Sequence, residues 1–243
     1  MIVKAVRRDR PRTPWVTRTV LATCCAVFLI GPASGLDPSY GTGADLLAAQ
    51  TAYFERWGVV PDELWHGLPA SLVTPFTALF VHGNWLHLLG NMLFLHVFGA
   101  MAEERMGRLS FALCYVVTGF LALLGYAAVH AGSAQSLVGA SGAISGILGA
   151  FLHLFPRARV TSLFPFLFFL PLRFPAWAVL LFWFALQWPG VGAPDDRPGV
   201  AYLAHVMGFA LGFGFAWVCR ERPVRVKSPV NDAAGPAEGD KPT

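Results

Sequence analysis

Six apolar runs, separated by more polar connections, decide what this chain can become. They lie at roughly Trp15–Pro32, Phe76–Met101, Leu109–His130, Ser136–Phe155, Pro175–Pro189 and Gly199–Cys219. Each is near the ~20 residues that a helix needs to cross a bilayer. Lipid offers backbone groups no partners, so runs of this kind must close their own hydrogen bonds as helices. The expected fold class is therefore an all-α polytopic membrane protein with six transmembrane helices. Composition agrees, with 55% hydrophobic and 13% charged residues and a mean hydropathy of +0.54. A soluble domain would need more charge to cover its surface. The stretch Phe164–Leu172 is also apolar, but Pro165, Pro171 and Pro175 interrupt it. It reads as a connector at the cytoplasmic interface. The first run follows a basic segment and ends in Pro32-Ala33-Ser34-Gly35, as a cleavable signal would. Its length with its flanks favours a retained first span.

Charge orients these spans. With the N-terminus inside, all but two of the 18 lysines and arginines fall on inner segments or inner span ends, Arg56 and Arg197 being the exceptions. That is a positive-inside pattern, and places both termini on the cytoplasmic side of a cell membrane. The net charge of +4 thus concerns orientation and implies no nucleic-acid partner. Three regions follow: a basic cytoplasmic segment over 1–13, a six-span domain over 14–220 with a long external loop at 33–75, and a disordered cytoplasmic tail over 221–243. The loop holds an amphipathic stretch, Ala44–Trp57, and aromatics suited to the membrane interface. Cys24, Cys25, Cys114 and Cys219 form no CxxC pair, so neither a disulfide framework nor a zinc site is indicated.

Spans two, four and six run in the same direction, and each carries polar groups near its outer end. The second holds His82, His87 and Asn91, the fourth Ser141, and the sixth His205. Intramembrane polar residues are functional candidates by default. Gly142, Gly146 and Ala150 recur every four residues, as do Ala204, Gly208 and Gly212, a spacing that lets helix backbones approach closely in lipid. If the fourth and sixth spans meet there, His205 comes within reach of Ser141. A serine hydroxyl needs a base to become a nucleophile, and a histidine supplies one. Asn91 and His87, on one face of the second span, can donate to an oxyanion, with the Ser141 N–H at a helix start as a third donor. The spans contain no carboxylate at this depth, so the expected unit is a Ser–His dyad without an Asp behind it. Ser145 lacks the glycine frame of Ser141 and reads as a packing serine. Trp183 and Gln187 share a face of the fifth run, which fits either a helix contact or a substrate gate.

The chain resembles the rhomboid family of intramembrane serine proteases. The resemblance rests on Gly139-Ala140-Ser141-Gly142, on Ala204-His205-x-x-Gly208-x-x-x-Gly212, and on His82-x4-His87-x3-Asn91, in this order within roughly residues 14–220. It implies a six-span rhomboid-like bundle, nucleophile Ser141, base His205 and oxyanion donors Asn91 and His87. His82, Gly139, Gly142, Gly208 and Gly212 would be structural around them. It also implies cleavage of transmembrane protein substrates near the outer face of the lipid bilayer, with no metal or cofactor. Two features depart from the family. Ser145 stands where an aromatic that can stack on the catalytic histidine is common, and Phe98-Gly99-Ala100-Met101-Ala102-Glu103 keeps only the Glu of a more polar motif. Other intramembrane chemistries fit worse: no histidine is followed by Glu, as a His-Glu-x-x-His zinc site requires, and no Asp lies in a span. An inactive rhomboid-like protein that binds or escorts membrane proteins is the alternative. A transporter would want a midplane site and an inverted repeat.

Overall fold

Caps and prolines, more than hydropathy, set where helices begin and end in this chain. The computed structural model describes residues 2–4, 13–67, 69–164, 170–187 and 201–219. The expected tail over 221–243 and residues 188–200 lie outside them. Helix α1 (Trp15–Ile30) stops at an extended Gly31, one residue before Pro32. Helices α2 (Ala44–Trp57) and α3 (Pro61–His66) lie in the connection after α1, α3 opening on a proline at its first position. A short α4 (Thr74–Thr77) and a 3₁₀ turn, Ala78–Phe80, follow. Helix α5 (Trp85–Phe94) starts at Asn84, whose side chain accepts the His87 N–H at 2.8 Å. It passes through a π turn (Leu95–Gly99) into α6 (Ala100–Met106) as one rod. Helices α7 (Arg108–Val129), α8 (Ser141–Leu154), α9 (Ala176–Gln187) and α10 (Tyr202–Val218) complete the bundle.

The second apolar run, Phe76–Met101, is longer than a span needs, which predicts a helix starting near Gly83, as is found. Its first residues are tight turns, the backbone at Val81 is extended, and the long helix begins just past Gly83 and reaches Met106. The helical fold also carries a small antiparallel sheet in the order β1 (Ile2–Lys4), β2 (Arg159–Phe164), β3 (Leu170–Pro175). Part of the expected basic segment and the arms of the connector are thus strands. The prolines fit because β3 is an edge strand, where a missing N–H leaves no ladder bond unmade.

Two rods, Trp85–Met106 and Arg108–Val129, are long and apolar enough to cross a membrane, and α1, α8, α9 and α10 are shorter apolar helices. The outward faces are apolar as well. Leu86, Leu89 and Leu93 on α5, and Leu109, Leu113, Val117 and Leu121 on α7, are exposed at helical spacing. Stripes of that kind need lipid as their solvent. This is a membrane protein.

Helix α8 is the axis of the bundle. Every residue from Gly142 to Phe151 is buried. On one side it packs against α7, where Thr118 faces Gly146. On the other it meets α10 backbone to backbone: a methyl group at Gly208 would strike the Gly142 carbonyl oxygen, and one at Gly212 the Gly146 carbonyl oxygen. Helix α1 is pinned differently. The buried Glu103 carboxylate accepts the N–H of Val16 at 2.9 Å, the N–H of Thr17 at 2.7 Å and the Thr17 hydroxyl at 2.7 Å. This satisfies donors that a helix start leaves open.

Candidate active site

Helix α8 is only 14 residues long, about 21 Å at ~1.5 Å per residue. That is shorter than a full span, and an irregular loop leads into its first residue. Non-helical backbone within an apolar bundle must be tied to protein. Leu137 exchanges two backbone hydrogen bonds with Val59, at 2.9 and 2.7 Å, and the Gly139 N–H donates to the Ala78 carbonyl at 2.9 Å. These ties hold Ser141 as the first residue of α8.

Gly139 has φ of +130°, a conformation that side chains disfavour. Space matters there too. A Cβ on Gly139 would lie 2.7 Å from His87 Nε2 and 3.7 Å from Ser141 Oγ. The glycine keeps open a hollow bounded by that imidazole and that hydroxyl.

Ser141 Oγ lies 2.8 Å from His205 Nε2. The far side of the imidazole is also engaged: His205 Nδ1 lies 2.9 Å from Gln187 Oε1, and Gln187 Nε2 donates to the Trp183 carbonyl at 3.1 Å. These contacts fix every proton. The Trp183 carbonyl can only accept, so the Gln187 amide nitrogen faces it and Oε1 faces the histidine. Oε1 can only accept, so Nδ1 carries the imidazole proton. Nε2 is then bare and accepts the Ser141 hydroxyl proton. The chain Ser141 → His205 → Gln187 → Trp183 runs from α8 through α10 to α9. The sequence reading expected no carboxylate behind the histidine, and the group found there is a neutral carboxamide. Sequence reasoning named Gln187 without assigning it to the site. The available signal was that Gln187 is the one polar side chain in Ala176–Gln187.

The second-span groups complete the cluster. His87 Nδ1 accepts the Gly83 N–H at 3.5 Å, leaving Nε2 as the protonated nitrogen, directed at the hollow beside Gly139. Asn91 is buried, and its Nδ2 has no hydrogen-bond partner among the described residues. A buried amide donor without an acceptor costs about 1–3 kcal/mol. His82 sits behind, with Nδ1 3.2 Å from the Phe80 carbonyl and its ring edge-on to His87 at 5.2 Å. The structure thus brings Ser141, His205 and His87 to one place, with His82, Gly139, Gly142 and Gly208 around them, and Asn91 lies one turn along α5 from His87. Gly212 lies one turn deeper in the seam.

Ser145 does not join them. Its hydroxyl donates to the Ser141 carbonyl at 2.6 Å, one turn back along α8. The ring nearest His205 comes from α9 instead: Trp183 lies 6.0 Å away, tilted by 32°. His66 pairs with Asp62 at 3.1 Å, and His153 meets the edge of Phe213. All four cysteines are free.

Residues 69–222 match the Rhomboid domain family model. The chain is 40% identical over 95 residues to rhomboid-like protein 11, chloroplastic, of Arabidopsis thaliana, covering 39% of this chain and 33% of that one. It is 28% identical over 169 residues to rhomboid protein 1, mitochondrial, of Saccharomyces cerevisiae, covering 68% and 47%. A third relative, RHOMBOID-like protein 6, mitochondrial, of Arabidopsis thaliana, is 23% identical over 250 residues, covering 89% and 72%. The chain therefore spans only a third to a half of the length of the first two relatives.

Proposed function

Because the chain belongs to the rhomboid family, we propose that it is an intramembrane serine endopeptidase working through Ser141 and His205. The observation that carries this is the 2.8 Å contact between Ser141 Oγ and His205 Nε2, two residues 64 apart in sequence, inside a lipid-facing helical bundle. The bare Nε2 takes the hydroxyl proton as Oγ attacks a substrate carbonyl. The donors assigned to the oxyanion that forms are Asn91 Nδ2–H, His87 Nε2–H and the Ser141 backbone N–H at the start of α8. The partnerless Asn91 amide supports this assignment, since donors held ready for a charge that appears only in the transition state contribute most to rate. The imidazolium returns its proton to the departing amide nitrogen. Water then attacks the acyl-serine, with His205 again accepting the proton.

The substrates are transmembrane segments of other membrane proteins, cut near the outer face. The distribution of lysine and arginine supports both ends being cytoplasmic. With the family match over 69–222, the reading is a protease domain over 14–220 and a cytoplasmic tail over 221–243, in the cell membrane. The organelles named for its relatives belong to those proteins.

The test is cleavage of a model transmembrane substrate by the detergent-solubilised protein, together with mapping of a fluorophosphonate label. Wild type and Ser145→Ala cleave, and Ser141→Ala and His205→Ala do not. The label sits on Ser141. Cleavage that survives Ser141→Ala refutes the assignment.

A further inference from the structure

Gln187 is buried at the last described turn of an otherwise apolar helix, and both ends of its carboxamide are used. A carboxamide in that setting needs partners and finds them. What sets it apart from a packing contact is which partner it finds. From the reading of Ser141 and His205 as nucleophile and base, we infer that Gln187 is the positioning residue of the histidine. By accepting from Nδ1 it holds His205 in the one tautomer whose Nε2 can take the serine proton.

The chemistry is specific. A neutral imidazole with no acceptor at Nδ1 divides between two tautomers. With the proton on Nε2, His205 would donate to Ser141 and could not activate it. The Trp183 carbonyl prevents the carboxamide from turning over, because a flipped amide would set oxygen against oxygen there and N–H against N–H at the histidine. Among the described residues, the hydrogen-bond partners of the imidazole are Ser141 from α8 and Gln187 from α9. The orientation therefore comes from α9.

The test compares wild type with Gln187→Leu, which keeps the bulk and removes the acceptor, and Gln187→Glu, which keeps an acceptor at the same reach. Each is followed by the fluorophosphonate labelling rate at Ser141 over a range of probe concentrations. In triad proteases an orienting group that enforces the wrong tautomer costs about 10⁴-fold. Loss of preference alone is smaller, because a fraction of the histidines keeps the active tautomer, so Gln187→Leu should slow the maximal labelling rate roughly tenfold, with half-saturation unchanged. Gln187→Glu should return to within about twofold of wild type. A structural role would not give this rescue. Nitrogen NMR of histidine-labelled protein reads the tautomer without relying on activity or on a variant that folds. Wild type should show His205 protonated at Nδ1, and Gln187→Leu a mixture.

Wild-type labelling of Gln187→Leu, equal slowing in Gln187→Glu, or a wild-type His205 protonated at Nε2 each overturns the inference while leaving the protease reading intact. A wild-type protein that labels somewhere other than Ser141 overturns the protease reading, and the positioning role falls with it.

Discussion

The two helices that meet His205 are held in opposite ways. Helix α10, which carries it, lies against α8 with glycine faces so close that a single methyl at Gly208 or Gly212 meets a carbonyl oxygen. Helix α9, which carries Gln187 and Trp183, buries only Ala176, Leu180 and Gln187 of its 12 residues. The difference separates two tasks. A backbone-to-backbone seam fixes the serine–histidine distance, because neither rod can slide without steric collision. A helix held by a few side chains supplies a contact that can be made or broken at small cost. Distance is built into the rigid half of the molecule and orientation into the looser half.

The largest expected effect lies in the seam. Gly212→Leu drives a branched side chain into the Gly146 backbone and should cost more than about 3 kcal/mol. Thermal unfolding in detergent would show a collapsed transition, and Ser141 labelling would vanish with it. A Gly212→Leu protein of normal stability would mean that the seam is not close-packed. Leu180→Ala comes next. Leu180 is fully buried, and truncating a buried leucine costs about 2–5 kcal/mol. Because the loss falls on α9, labelling should fall in the fraction that stays folded, whereas the seam variant loses stability and labelling together. If Leu180→Ala behaved like Gly212→Leu, the contrast between the two helices would fail. Leu181→Ala, one residue along on the exposed face, is the smallest. Its melting temperature should not move measurably, since surface changes stay within about 0.5 kcal/mol.

The rigid half was legible in the sequence and the looser half was not, for a physical reason. Small residues four apart on both the fourth and sixth runs announce a close helix pair. Once that pair is aligned, Ser141 and His205 can hardly miss one another. Likewise His87 and Asn91 share a helix face by spacing alone. The fifth run, Ala176–Gln187, is apolar all round, so periodicity names no inward face and cannot tell whether Gln187 points at the histidine or at lipid. The start of the second-run helix near Gly83 was legible too, because Phe76–Met101 exceeds what a span needs, and the Asn84 side-chain cap fixes it. The pairing of Ile2–Lys4 with Arg159–Thr161 joins segments too far apart for any local pattern to reveal.

The strap between Val59 and Leu137 has a consequence well beyond architecture. It makes the helix Pro61–His66 and the loop ahead of Ser141 a single mechanical unit, and linkage between two sites runs equally in both directions. An antibody fragment that clamps Pro61–His66 will therefore stiffen the approach to the serine. Reciprocally, a fluorophosphonate adduct on Ser141 will slow deuterium uptake at the Val59 amide, so occupancy of the serine can be monitored from a remote stretch of backbone.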